Sequence, residues 1–204
     1  MASWSVHYKR CAVIERIESQ ETLANLVASD LKAGRIVGWF QGRFENGPRA
    51  LGNRSILADP SNPDTARRLR DRIKGRETFR PFALSARDED AEMIFESTDI
   101  LGLPSRWMQM VASVREEIRP RLRAALHIDG TTRPQIVSRG ESPQFHEVLS
   151  AMARVTGIGA VLNTSFNESG YPIVSTPAEA LIVFARSEMD TLIVGKVVAR
   201  KVWS

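Results

Sequence analysis

The stretch GWFQGRFENGPRALGNRSILADP (residues 38–60), followed by IKGRETFRP (residues 73–81), organises the reading of this chain. Ile36, Val37, Gly38, Trp39 and Phe40 form an apolar run of the kind a buried strand shows. The run ends in a loop holding Gly42, Gly47, Pro48 and Gly52, with Arg43, Arg49 and Arg54 among them. Ser55 to Ala58 returns to a strand-like pattern, and Asp59-Pro60 stops it. A glycine-rich loop therefore joins two strands and presents guanidinium groups. Glycine permits close backbone approach. Planar, permanently charged forks suit phosphate or carboxylate oxygens. The combination favours a phosphorylated small molecule as ligand.

A second basic cluster follows, with Arg67, Arg68, Arg70, Arg72, Lys74, Arg76 and Arg80. For Arg67, Arg68, Arg70 and Arg72 a solvated helix face is expected, so Arg68→Ala should change little. Arg49, Lys74 and Arg80 are read as site residues instead, because each sits beside a Gly or Pro that fixes the local backbone.

Four stretches together resemble the C-terminal domain of the nodulation- and antibiotic-type O-carbamoyltransferases. They are GRFENGPRALGNRSILADP, IKGRETFRPFALS, HIDGTTRPQIV and VLNTSFNESGYPIVSTPAEAL, within about residues 33–195. In that family the domain is similar to the YrdC-like threonylcarbamoyl-adenylate synthases. The resemblance implies an α/β fold, a twisted mixed sheet with flanking helices and an open, basic concave face. It implies activation of a carbamoyl group, with carbamoyl phosphate and ATP giving carbamoyl-adenylate and Mg2+ accompanying the ATP. Arg49, Lys74 and Arg80 match the family positions for carbamoyl phosphate and its adenylate. Lys74 is read as a mobile point charge on the transferring phosphate, and Arg49 and Arg80 as clamps. Arg43, Arg54, Arg133, Asn163, Thr164, Ser165 and Asn167 are assigned to substrate and nucleotide contacts. Amides and hydroxyls at a strand's end can serve a carbamoyl group, whose oxygen and NH2 need donors and acceptors together. Glu45 and Asp59 are candidates for orienting the arginines or for holding Mg2+ on ATP.

Family enzymes carry a larger N-terminal domain, actin-like and metal-binding, that performs the final transfer. The resemblance does not extend to it. The expected partner is therefore a separate actin-like, metal-binding carbamoyltransferase chain, which would bind the natural-product or sugar hydroxyl that accepts the group. Residues 1–18 are read as an N-terminal extension adjoining that domain, and residues 19–204 as the YrdC-like domain. The initial Met and the lack of a tag point to a natural chain.

Composition fits this picture. The chain has 204 residues, 43% hydrophobic and 25% charged, the make-up of an ordinary globular domain. Net charge is +4, and clustered arginines produce it. A basic patch serves an anionic small substrate as well as it serves nucleic acid. The basic stretches lack interleaved aromatics, with only Phe44 and Phe79 nearby, which argues against RNA. Two alternative readings stand beside the enzyme: a non-catalytic regulatory or structural subunit, and an RNA-binding module. The single cysteine, Cys11, excludes an internal disulfide and fits a cytoplasmic location. No apolar run approaches the ~18 residues of a membrane span. His7, His127 and His146 lie too far apart in sequence for a local ligand motif, so no metal site is assigned.

Strand and helix patterns alternate, which argues α/β. An edge strand is expected near Cys11–Ile17 and a helix over 20–33, stopped by Gly34. Further helices are expected over 63–74, 88–95, 116–126 and 143–156, and from Thr176 to Arg186. Strands are expected over 82–85, 107–114, 158–162, 192–194 and 197–198, and a loop over 97–105.

Overall fold

The computed structural model describes residues 11–77, 81–97 and 101–201. The strands are β1 (Cys11–Arg16), β2 (Val37–Phe40), β3 (Arg54–Ala58), β4 (Ala83–Arg87), β5 (Ala112–Ser113), β6 (Thr131–Thr132), β7 (Pro134–Val137), β8 (Ala160–Ser165), β9 (Thr191–Val194) and β10 (Val197–Lys201). Eight of them form one sheet in the order β1-β10-β9-β2-β3-β8-β4-β7, while β5 and β6 pair separately. The sheet is mixed: β2/β9 and β4/β7 run parallel, and the other neighbours antiparallel. β2 and β3 lie inside it and are buried at every position. That is why residues 36–40 and 55–58 read as continuous apolar runs rather than alternating ones. The sheet also takes in Cys11–Arg16, on the N-terminal side of the boundary expected at residue 19.

The helices are α1 (Gln20–Lys32), α2 (Pro63–Arg68), α3 (Ala91–Ile94), α4 (Leu103–Arg106), α5 (Arg119–Leu122), α6 (Pro143–Thr156) and α7 (Pro177–Arg186). Ser19 starts α1 by accepting the Thr22 N–H at 3.2 Å. Leu23, Val27 and Leu31, at helical spacing, are then buried. α1 packs on α6 over one face of the sheet, with Trp39, Leu57, Phe145, Leu149 and Ile193 between the layers. The opposite face holds Ile56, Leu69, Leu84, Phe95, Leu122, Phe166 and Phe184, contributed by the sheet, the shorter helices and α7. Among the described residues no helix is long and apolar enough to cross a membrane.

Three local expectations change. Residues 107–114 are not one strand: Met108 has φ 56, a left-handed conformation that interrupts extended backbone, and only Ala112–Ser113 forms a strand, with Val114 in an isolated bridge to Phe95. The loop expected over 97–105 contains the single turn α4. The helix expected over 116–126 is the single turn α5, begun at Arg119 with Pro120 in its first turn, where no i−4 carbonyl of the helix meets the proline ring. α2 continues as a π-helical turn, Leu69–Lys74, which ends at Gly75 in the left-handed region.

The arginines of that segment are not a uniform solvated face. Arg67 pairs with exposed Asp64, and Arg70 with Asp71. Arg68, by contrast, donates to Asp190, a carboxylate only 7% exposed that also accepts the Ile36 N–H at 2.7 Å. It also donates to the Gly34 carbonyl at 3.3 Å. Arg68 thus ties α2 to the entry of β2, and the expectation that its loss is silent is withdrawn. Removing it leaves a buried carboxylate under-satisfied, worth about 1–3 kcal/mol. Arg68→Ala should lower the urea midpoint by that equivalent, whereas Arg67→Ala, an exposed pair, should shift it by less than about 0.5 kcal/mol.

Candidate active-site cleft

The loop between β2 and β3 is held from two sides. The Glu45 carboxylate accepts the main-chain N–H groups of Leu51 at 2.6 Å, Asn53 at 3.1 Å and Arg54 at 2.9 Å. Burial pushes the Glu45 carboxyl up, against the pull of those three N–H groups and of Arg54. On the sheet side, three successive carbonyls are captured by side chains from three strands. Asn163 Nδ2 donates to Ala50 O at 3.1 Å, Gln135 Nε2 to Leu51 O at 2.7 Å, and Trp39 Nε1 to Gly52 O at 2.7 Å. Gly52 itself, at φ 108, lies so close to α6 that a Cβ would meet Phe145 at 2.4 Å. With its main chain engaged inward, the loop turns Pro48 and Arg49 outward.

They form one wall of a polar cleft of about 290 Å³, lined also by Ala50, Arg76, Pro81, Phe82, Ala83, Met108, His127, Arg133, Asn163, Thr164 and Ser165. Arg49, Arg133, Asn163, Thr164 and Ser165 are thus brought together, although the sequence separates them by up to 116 positions (165 − 49). Among the described residues no hydrogen bond or ion pair engages the Arg49 guanidinium. A wider recess of about 560 Å³ adjoins the cleft. Pro48, Arg49, Met108 and Arg133 are shared between the two, and Trp107, Met110 and Val111 give the recess an apolar lining. Left-handed Met108 stands between them.

Other expected contacts go elsewhere. Arg54 is 3% exposed. Its guanidinium donates to the carbonyls of Gln41, Asn53 and Gly42 and stacks 3.6 Å above the Phe40 ring. Burial lowers its pKa, opposed by Glu45. It is a strut of the loop and does not line the cleft, so its reading as a substrate contact is corrected. Arg43 is exposed at the start of the loop and lies outside the cleft lining. Arg80 lies outside the described residues. Glu45 is occupied by main-chain N–H groups, and Asp59 accepts the N–H and Oγ–H of Ser61, a local turn.

Lys74 is 2% exposed and not a mobile point charge. Its Nζ donates to Ser165 O at 2.9 Å, Asn167 O at 3.0 Å and Asn167 Oδ1 at 2.6 Å. Ser165 Oγ donates in turn to Asn167 Oδ1 at 2.7 Å. Lys74 and Asn167 therefore stand behind Ser165, in a separate hollow, and Lys74 braces the end of β8. Burial, with Arg76 nearby, pushes the Lys74 ammonium down to about 7, against the oxygens around it.

Arg76 is the residue the sequence reading passed over. It borders both the cleft and the Lys74 hollow, and its guanidinium lies 5.8 Å from the Phe82 ring centroid. Gly75, left-handed at φ 50, supplied the signal: it ends the π-helical turn and redirects the next side chain. His127, assigned no site role in the sequence, also reaches the cleft. His146 is fully buried and engages Glu89 Oε2 at 2.9 Å and Asp88 Oδ1 at 3.4 Å. Burial raises Asp88. Burial would raise Glu89 too, but its own main-chain N–H, His146 and Asp88 outweigh that and pull it down to about 2.

The family described as Carbamoyltransferase C-terminus matches residues 28–201. The chain belongs to that family. Nodulation protein NolO of Bradyrhizobium diazoefficiens is 41% identical over 200 residues, covering 98% of this chain and 35% of the relative. A 3'-hydroxymethylcephem-O-carbamoyltransferase of Streptomyces clavuligerus is 36% identical over 176 residues, covering 86% and 32%. The chain thus spans about a third of the length of these curated relatives. Two solved structures share the fold: full-length HypF in a phosphate- and nucleotide-bound form (TM-score 0.60, 19% identity, 88% of this chain and 25% of that one), and P. abyssi Sua5 complexed with L-threonine (TM-score 0.60, 17% identity, 89% and 48%). The expected YrdC-like α/β architecture is the one observed.

The depressed Lys74 pKa has a measurable consequence. Below about 7 the folded and unfolded chains both hold this proton, and the burial penalty is complete. Between about 7 and the ordinary value of 10.5 the unfolded chain holds the extra proton, so stability rises with pH. The urea midpoint of the protein should therefore climb between pH 7 and pH 9 relative to Lys74→Met. Parallel pH profiles for the two proteins would contradict this.

Proposed function

We propose that this chain is the carbamoyl-activating part of an O-carbamoyltransferase, forming carbamoyl-adenylate from carbamoyl phosphate and ATP. One observation carries the reading: Arg49, Arg76 and Arg133 converge on a single small cleft with the amide and hydroxyls of Asn163, Thr164 and Ser165. Two phosphorylated substrates repel each other. Fixed guanidinium groups offset that repulsion and hold phosphate oxygens in place. The phosphate- and nucleotide-bound form of HypF supports nucleotide use in this fold, at the level of fold analogy.

The chemistry needs little beyond positioning. Water releases inorganic phosphate from carbamoyl phosphate and leaves carbamate. A carbamate oxygen then attacks the α-phosphorus of ATP. The bond to the β-phosphate breaks, and carbamoyl-adenylate and pyrophosphate result. Arg49, with no competing partner among the described residues, clamps the phosphates of the incoming substrate. Arg76 and Arg133 approach from the other walls. The apolar recess with Trp107 gives the base a flat surface to lie on. Lys74 acts through Ser165, by positioning the end of β8. Mg2+ arrives with ATP, and no residue here is assigned to it.

Given carbamoyl phosphate, ATP and Mg2+, the chain should release pyrophosphate in a carbamoyl-dependent manner. Arg49→Lys should lower that rate on the order of 10²–10³-fold, because one ammonium does not replace a bidentate fork. Arg43→Ala, outside the cleft lining, should leave it nearly unchanged. No carbamoyl-dependent pyrophosphate from a folded sample, or equal losses at both arginines, would overturn the assignment.

The adenylate hydrolyses if released into water, so it must be handed directly to the next site. We assign the final transfer to the part of the relatives that this chain does not cover, an actin-like, metal-binding domain or chain that holds the hydroxyl acceptor. Transfer to an alcohol should appear only when that portion is added. Carbamoylation of an alcohol by this chain alone, at a rate the added portion does not change, would refute the division of labour.

A further inference from the structure

A second cluster of polar side chains lies away from the cleft. His146, on α6, is 0% exposed. Asp88 and Glu89 open the short 3-10 turn, Asp88–Asp90, that leads from β4 into α3. Glu89 lies 57 positions from His146, so no local ligand motif appears in the sequence. Ala83, at the start of β4, lines the cleft, whereas Asp88 follows the last residue of that strand, Arg87. The cluster therefore stands at the opposite end of β4 and belongs to no part of the proposed chemistry.

His146 Nε2 faces two carboxylates, Glu89 Oε2 at 2.9 Å and Asp88 Oδ1 at 3.4 Å. Ser150 Oγ stands 3.4 Å from Nδ1 on the other side of the ring. Nε2 carries one proton at most, and the nearer Glu89 takes it. Asp88 Oδ1 is left buried and without a hydrogen-bond partner among the described residues. No side-chain cation makes up the difference. Arg87, beside the pair, gives its guanidinium to Asp90 at 2.7 and 3.0 Å. Among the described residues no lysine or arginine forms an ion pair with Asp88 or Glu89. Two carboxylates thus converge on one buried imidazole. Buried polar atoms normally find partners, and neighbouring carboxylates repel when both are charged.

A divalent ion answers every one of these groups at once. The three ligand atoms lie within 4.8 Å of one another. Zinc bonds of about 2.0–2.2 Å place neighbouring ligand atoms about 3.0–3.5 Å apart. The 2.9 and 3.4 Å separations already lie close to that spacing. Asp88 and Glu89 are part-exposed, so the outer side is open to a water as fourth ligand, a set that zinc accepts. The imidazole nitrogen favours zinc over magnesium and calcium, which take oxygen ligands.

We propose that Asp88, Glu89 and His146 form a zinc-binding site that ties the turn after β4 to α6. The ion acts on the fold and not on the substrate. Phe145, next to His146, is the ring against which Gly52 packs, so the tie braces the helix beneath the loop that carries Arg49. The inference stands whether or not the cleft activates a carbamoyl group.

The test uses the full chain, stripped of metal with EDTA and titrated with zinc sulfate against a chromophoric chelator in millimolar magnesium. The wild type should take up one zinc ion per chain with about micromolar affinity or tighter, and saturating zinc should raise its urea midpoint. Asp88→Asn and His146→Gln should each weaken zinc binding at least about tenfold and remove the midpoint rise. If His146→Gln does not fold, Asp88→Asn decides alone, because its side chain is part-exposed. A wild type that takes up no zinc, or that gives it up to magnesium, would overturn the inference and leave an ordinary hydrogen-bonded histidine. A folded Asp88→Asn protein that binds zinc as the wild type does would overturn it too, by placing the ion elsewhere on the chain.

Discussion

Glu45 is a carboxylate set among arginines, and the cleft depends on what it does with its two oxygens. It accepts three main-chain N–H groups from the far end of its own loop. Without it, those donors would have to find water or remain unpaired in a half-buried setting. The same loop end is gripped from below through the carbonyls of residues 50, 51 and 52. Nearly every polar main-chain group there is used, so a glycine-rich segment that would otherwise sample many conformations is confined to one. Among the described residues, Arg49 owes its position to that confinement and not to a hydrogen bond or ion pair of its own.

The arginines are chemically alike in sequence and divide into three kinds in space. Arg67, Arg68 and Arg70 answer nearby or distant carboxylates. Arg54 is internal and satisfies carbonyls. Arg49, Arg76 and Arg133 face the cleft. Part of the positive charge is thus neutralised locally, and three guanidinium groups are gathered where three loops meet. This weighs against an extended nucleic-acid surface and for a small anion site.

Regular elements were legible because their causes are local. α1, α6 and α7 carry a cap or early proline and an apolar stripe within a few turns, and β2 and β3 are short apolar runs bounded by turn residues. The site was legible only in part. Arg49, Arg133 and Asn163 could be singled out from residue type and setting, but Arg68 could not be separated from Arg67, since its partner Asp190 is 122 positions away. Lys74 was wrongly read as mobile, because Ser165 and Asn167, which immobilise it, lie 91 and 93 positions on. The error over residues 107–114 has a different origin. An approximate alternation of apolar and polar residues survives there, but Met108 adopts positive φ, which side-chain patterning does not encode.

The contact between Gly52 and Phe145 has a mechanical side. Gly52 leaves no gap between the loop and α6, and α6 is itself packed along α1. One jaw of the cleft is therefore continuous with the thickest part of the molecule. The opposite jaw is the irregular turn from Trp107 to Val111, which meets the rest through single turns and a two-residue strand. The two sides of the cleft are thus unequal in mass and bracing, and the Arg49 guanidinium stands on the heavier one.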